Sequence, residues 1–168
     1  MEAVAKHLKS LEAIDFSGCP KITDVGAIPV VREMTELRCL RMKDLFHVTD
    51  ETIKTAANNQ PHLSELVVEN DWLLHDESLQ MICDRCPKMT TLNLAGCGPI
   101  TDLTLMAAAS QFKGLVRVDC SFLRHLTDVT LRTHSSSIRL TVSYHLMCLS
   151  VCRRLLSRCR STALFCRR

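Results

Sequence analysis

Cys83-Asp84-Arg85-Cys86 places two thiols at the spacing of half a zinc site, and tetrahedral zinc takes four ligands. No second close pair stands at an equivalent position in residues 1–128, so the two sulfurs read as small core hydrophobes, a common place for free cysteine. Cys148 and Cys152 with His145 form a further, weaker cluster in the arginine-rich C-terminal tail. His47, His62, His75 and His125 are scattered over turns and helix ends, far in sequence from any nucleophile they would activate. There is no glycine-rich phosphate loop, no G-x-S-x-G and no acid pair fixed by spacing. The chemistry-bearing residues therefore predict no catalytic centre, no metal site and no cofactor.

The elements that position these residues are written as a repeat. LNLAGCGPITD, Leu92 to Asp102, is a near-copy of IDFSGCPKITD, Ile14 to Asp24. Steps of 26 residues from Leu11 reach Leu37, Leu63, Met89 and Leu115, and from Ile14 reach Leu40, Leu66, Leu92 and Val118. The same step carries Phe16 to Met42, Val68, Leu94 and Cys120, and Ile22 to Val48, Leu74, Ile100 and Leu126. Five uninterrupted copies of a unit this size mark a stacked solenoid. Within each unit, L-x-x-L-x-L alternates like a strand in its last positions. Thr23-Asp24 and its copies Thr49-Asp50, His75-Asp76, Thr101-Asp102 and Thr127-Asp128 then supply a helix N-cap pair, with His75 as a substitute cap. Ile53, Leu79, Leu105 and Leu131 share one helical register; Val30, Ala56, Ile82 and Ala108 share another. Pro61 and Pro87 close two of the helices. One strand and one helix cannot bury an apolar face alone, so neighbouring units must stack.

The pattern L-x-x-L-x-L-x-x-C-x-x-I-T-D resembles the cysteine-containing subclass of leucine-rich repeats, whose best-known carriers are the F-box/leucine-rich-repeat proteins. The signature position reads Cys19, Leu45, Asp71, Cys97 and Leu123. The resemblance spans about Leu8 to Asp128 and implies an α/β leucine-rich-repeat solenoid: a short right-handed arc, parallel strands on the concave face, helices on the convex face. In that family the repeats hold a substrate while an F-box segment docks the Skp adaptor of an SCF-type ubiquitin ligase. No F-box is evident before Leu8, so a Skp–cullin partner is implied only for a longer form. The alternative is a repeat assembly factor or scaffold without a ligase role.

Composition bounds the rest. The 168 residues are 46% hydrophobic and 23% charged, with no membrane-spanning apolar run. MEAVAKHLKS lacks the apolar core of a secretory signal. Cys19, Cys97 and Cys120 at repeat-core positions point to a reducing compartment, cytoplasm or nucleus. The net charge of +3 hides a break: residues 129–168 hold eight arginines and no acid, whereas all 18 Asp and Glu precede them. Residues 1–132 thus read as five repeats preceded by a partial repeat helix through Val4, Ala5 and Leu8. Residues 133–168 read as a degenerate sixth repeat, with Thr141, Tyr144, Leu146, Leu149 and Cys152 in register, or as a basic helical tail. Such a tail would cap the core or, as a weaker option, lie on an anionic membrane surface.

What remains is the concave face. Side chains alternate along a strand, so Ala13, Asp15 and Ser17 point outward, as do Cys39, Arg41 and Lys43, then Glu65, Val67 and Glu69. Thr91, Asn93 and Ala95, and Arg117, Asp119 and Ser121, complete the set. The partner-binding residues predicted here are Asp15, Arg41, Lys43, Glu65, Val67, Glu69, Asn93, Arg117 and Asp119, with Trp72 in the adjoining loop. Both charge signs occur and no basic stripe interleaved with aromatics appears, so the expected partner is a protein and not nucleic acid. Trp72, the sole tryptophan, reads either as packing against Phe46 of the neighbouring turn or as an interface anchor.

Overall fold

A computed structural model describes residues 10–127 and the strand 139–141. Strands β1 (Ala13–Asp15), β2 (Cys39–Arg41), β3 (Glu65–Val67), β4 (Thr91–Asn93), β5 (Arg117–Asp119) and β6 (Arg139–Thr141) form one sheet in chain order. Helices α1 (Asp24–Glu33), α2 (Asp50–Asn59), α3 (Asp76–Arg85) and α4 (Asp102–Gln111) alternate with the first five. Every strand pair is parallel, and β1 to β5 keep the 26-residue register, Ile14 opposite Leu40 opposite Leu66 opposite Leu92 opposite Val118. The α/β leucine-rich-repeat solenoid expected from the period is the fold observed.

Alternation explains which residues build the core. The middle residue of β2, β3, β4 and β5 is buried, and so are Met42, Val68, Leu94 and Cys120 two residues on. The helices close the other side with Val30, Ala56, Ile82 and Ala108 and with Ile53, Leu79 and Leu105, all buried. Full burial of one of the valine, leucine or isoleucine side chains among them stabilises by about 1.5–3 kcal/mol. Ala95 and Ser121, expected to point outward, are buried as well. They share a register position with Lys43 and Glu69, whose longer side chains keep accessible surface where these short ones are covered.

Each turn leaves its strand through a left-handed residue at one register position: Gly18 (φ +71°), Asp44 (+59°), Asn70 (+62°), Gly96 (+73°) and Phe122 (+61°). Gly96 takes this angle without strain, and a Cβ added there would force the Asn70 side chain to shift.

The Thr-Asp pair divides its labour between repeats. Thr49 Oγ1 caps its own helix by accepting from Glu51 N–H at 3.3 Å, and Thr101 does the same for Leu103 N–H at 3.2 Å. The aspartate serves the following repeat. Asp24 accepts from Thr49 N–H (3.0 Å), Thr49 Oγ1–H (2.8 Å) and Thr52 Oγ1–H (2.6 Å). Asp76 repeats the pattern with Thr101 N–H (3.1 Å), Thr101 Oγ1–H (2.6 Å) and Thr104 Oγ1–H (2.5 Å). His75 breaks the rule expected of it: its side chain makes no cap bond to α3, and its Nδ1 lies 2.8 Å from Asp50 Oδ2 instead. Thr23 likewise makes no side-chain cap bond to α1.

Two register expectations also change. Cys19 is exposed, whereas Cys97 at the same repeat position is buried and donates its Sγ–H to Val68 O at 2.7 Å. No earlier turn among the described residues lies against Cys19 as the third repeat lies against Cys97. The sixth strand sets Leu140, not Tyr144, beside Val118, a step of 22 residues in place of 26. The expected N-terminal repeat helix through Val4, Ala5 and Leu8, and the tail beyond Thr141 with Cys148, Cys152 and His145, lie outside the described residues.

Candidate interaction surface

Of the ten predicted partner-binding residues, all keep some accessible surface, and the sheet gathers nine of them on one face. Neighbouring coils pair their charges there. Arg41 Nη2 lies 2.7 Å and Arg41 Nε 2.8 Å from Glu65 Oε1, and Lys43 Nζ lies 2.8 Å from Glu69 Oε1. Glu69 Oε2 also accepts from Asn93 Nδ2 at 3.3 Å. Such accessible pairs contribute about 0–1 kcal/mol each, so they fix side-chain geometry more than they stabilise the fold. Val67, half-buried, sits between them as the apolar member of the face.

Asp15, Asn93 and Asp119 do a second job. Each accepts from the backbone N–H two residues on: Ser17 at 2.8 Å, Ala95 at 2.9 Å and Ser121 at 3.0 Å. This is the Asx turn that carries the chain from strand to loop. The hydrogen bonds from Ser17 hold the Asp15 carboxyl below the usual carboxylate range. Arg117 is exposed at the end of β5.

Trp72 stands off this face, on the rim formed by the strand-to-helix loops, and is 50% exposed. Its ring meets residues of the two following repeats, Gly98 and Arg124. It lies against Gly98, where an added Cβ would come within 2.8 Å of Trp72 Cε3. Arg124, a further repeat on, stacks over the ring at 5.3 Å from its centroid. A cation over an indole face is worth about 0.5–1 kcal/mol where water reaches it, enough to hold the ring in one orientation. Positions 72, 98 and 124 are one register column, so the arrangement follows from a small residue following the large one.

The exposure of Phe122 and the burial of Asp71 were not read from the sequence. Phe122 is 52% exposed and occupies the left-handed position that glycine, asparagine or aspartate fills elsewhere. A bulky side chain there is strained. The signal was present, as one aromatic in a column otherwise reading Gly18, Asp44, Asn70 and Gly96. Asp71, at the signature cysteine position, is buried; its Oδ1 accepts from Leu73 N–H at 3.0 Å and its Oδ2 has no partner. Burial pushes its carboxyl up to about 7, and the fields of Asp24 and Asp50 add to the effect.

The thiols are arranged for packing. Burial pushes Cys83, Cys86, Cys97 and Cys120 each up to about 12. Cys86 donates its Sγ–H to Gln60 O at 3.3 Å, one repeat back. Cys39 on the concave face is pushed up to about 11 by burial and by Glu65, so it stays a thiol at neutral pH and is a poor nucleophile. Among the described residues no group of three or more His, Cys, Asp or Glu is placed to hold a metal ion, and no helix is long and apolar enough to cross a membrane.

Comparison with known proteins places this geometry. The family model described as Leucine Rich repeat matches residues 7–31 and 85–107. A chain in the crystal structure of the Rad7 and Elc1 complex in yeast is similar over 82% of this chain, with a TM-score of 0.70 and 16% identity. The match spans 37% of that longer chain. The structure of leiomodin-1 actin-binding site 2 aligns over 94% of this chain and 85% of its own, with a TM-score of 0.44 and 13% identity. The repeat register, the parallel sheet and the two matched repeats make the fold a leucine-rich-repeat solenoid.

Proposed function

We propose that the chain is a non-catalytic protein-interaction scaffold that holds a protein partner across the concave strand face and the adjoining Trp72 loop. The observation that carries this reading is Trp72 itself, half-exposed yet braced between Gly98 and Arg124. Exposed tryptophan and arginine are the residue types that dominate binding hot spots. A ring already held in place loses little freedom when a partner covers it. The paired charges Arg41–Glu65 and Lys43–Glu69 beside it offer register and selectivity more than long-range attraction.

The resemblance of the repeats to F-box/leucine-rich-repeat proteins supports a finer reading, in which the scaffold recognises substrate for an SCF-type ubiquitin ligase in cytoplasm or nucleus. A longer form carrying an F-box would then reach a Skp–cullin complex. The fold's likeness to a chain solved in complex, Rad7 with Elc1, supports work within an assembly. Affinity purification of the chain and of its Trp72→Ala variant from cells tests both levels. Loss of a partner from the folded variant supports the scaffold surface, and unchanged recovery refutes it. Skp and cullin subunits among the wild-type partners support the ligase role; a stable complex without them refutes that role and leaves the scaffold.

A further inference from the structure

The rim of strand-to-helix loops carries a charge pattern that the concave face does not. Its two register columns read Pro20-Lys21, Phe46-His47, Trp72-Leu73, Gly98-Pro99 and Arg124-His125, without a single acid. Phe46 and Trp72 are each 50% exposed, and Phe122 joins them from the strained left-handed position. Lys21 and Arg124 are exposed at opposite ends. The aspartates flanking these columns are occupied or hidden, and Glu51 and Glu77 on the first turns of α2 and α3 pair with Lys54. Asp71 is buried, Asp44 Oδ1 accepts from Asn70 Nδ2 at 2.7 Å, and Asp24, Asp50 and Asp76 are bonded into the next coil. The rim is therefore an aromatic centre between two cationic ends.

We propose that this rim docks an extended segment of a protein partner in which apolar side chains are flanked on both sides by carboxylates. The inference deepens the scaffold reading and rests on it. Arg124 lies over Trp72 with its guanidinium carbon 5.3 Å from the ring centroid and stays exposed, and a guanidinium is the group that a carboxylate grips in two hydrogen bonds. Lys21, four repeats away, supplies a point charge for the other end. At roughly 4.8 Å per coil the two cations are on the order of 20 Å apart, the reach of about six extended residues. The centre matches apolar side chains, and backbone strain held at Phe122 is a mark of functional positions.

Trp72 is the only tryptophan, so its emission reads this rim directly. The experiment titrates the purified chain with a synthetic eight-residue peptide having two leucines at its centre and glutamates on both sides. A counterpart with lysines in place of the glutamates is the control. The proposal expects saturable quenching or shift with the acidic peptide and at least tenfold weaker binding of the lysine peptide. Arg124→Glu, and independently Lys21→Glu, should each weaken the acidic peptide at least tenfold with circular dichroism unchanged. Equal affinity for both peptides, no binding of either, or indifference to both folded variants overturns the proposal. A cellular partner still retained by folded Arg124→Glu but lost on Trp72→Ala would overturn the acidic-segment assignment alone and leave the scaffold reading standing.

Discussion

Replacing Asp71 by cysteine restores the side chain that Cys97 supplies one repeat later. In the wild type a carboxyl group is buried with one oxygen unpartnered, and its folded-state value rises from 3.8 to about 7. For an acid raised in this way, the folded chain holds the proton between about pH 4 and 7 while the unfolded chain releases it. Stability therefore falls as pH climbs through that window, and the full penalty stands above pH 7. Linkage at about 1.4 kcal/mol per unit makes the penalty on the order of 4 kcal/mol at pH 8 and about 2–3 kcal/mol smaller at pH 5. Loss of the bond from Leu73 N–H returns about 1 kcal/mol of it at either pH. Asp71→Cys should thus stabilise by about 3 kcal/mol at pH 8 and by little at pH 5. Urea unfolding at the two pH values, with equal slopes, measures the difference. Two results would refute the reasoning: a wild-type midpoint that does not fall between pH 5 and 8, or a gain on substitution that is the same at both.

Other substitutions test the frame. Leu92→Ala, at a fully buried strand centre, should cost about 2–5 kcal/mol, while its outward neighbour Thr91→Ala should cost under about 0.5 kcal/mol; equal costs in urea unfolding would break the strand register. Asp76→Ala should cost about 2–4 kcal/mol, because the buried Thr104 hydroxyl and the Thr101 N–H lose their acceptor together. Burial alone would raise Asp50 and Asp76, but hydrogen bonds from Ser78 and His75, and from Thr101 and Thr104, outweigh it and hold both low. Their contribution is complete above about pH 4 and should be lost only as pH falls below that, which acid unfolding of Asp76→Asn against wild type would show as a smaller acid slope. Gly98→Ala should displace the Trp72 ring and redden its emission, with little change in unfolding midpoint, since only the rim contact is affected.

The register of the core was legible because the solenoid repeats its geometry with its sequence: each 26-residue step from Leu40 lands on a residue doing the same thing. The concave face followed from strand alternation, and exposure failed at Ala95 and Ser121, short side chains in the column where Lys43 and Glu69 reach solvent. The aspartate ladder was not legible as such. Thr-Asp reads locally as one cap, and only stacking brings Asp24 to the helix start 25 residues on. The sixth strand came four residues early because no Thr-Asp or cysteine marks the register beyond Asp128. Trp72 was picked out by its type, but its direction depended on the missing side chain of Gly98, a feature of the neighbouring coil. Phe122 was passed over because a lone aromatic in a loop carries no weight until its column is known to be left-handed.

Site-specific photocrosslinking tests the central claim most directly, that the concave face and its rim, and not the helical side, hold a protein partner. A photoreactive phenylalanine analogue replaces Val67 on the face, Phe46 on the rim, or exposed Glu77 on α3, in chains shown to fold equally. The account predicts one and the same protein adduct from positions 67 and 46, none from position 77, and loss of the adduct on Trp72→Ala. An adduct that forms from position 77 alone, or persists undiminished without Trp72, would contradict it.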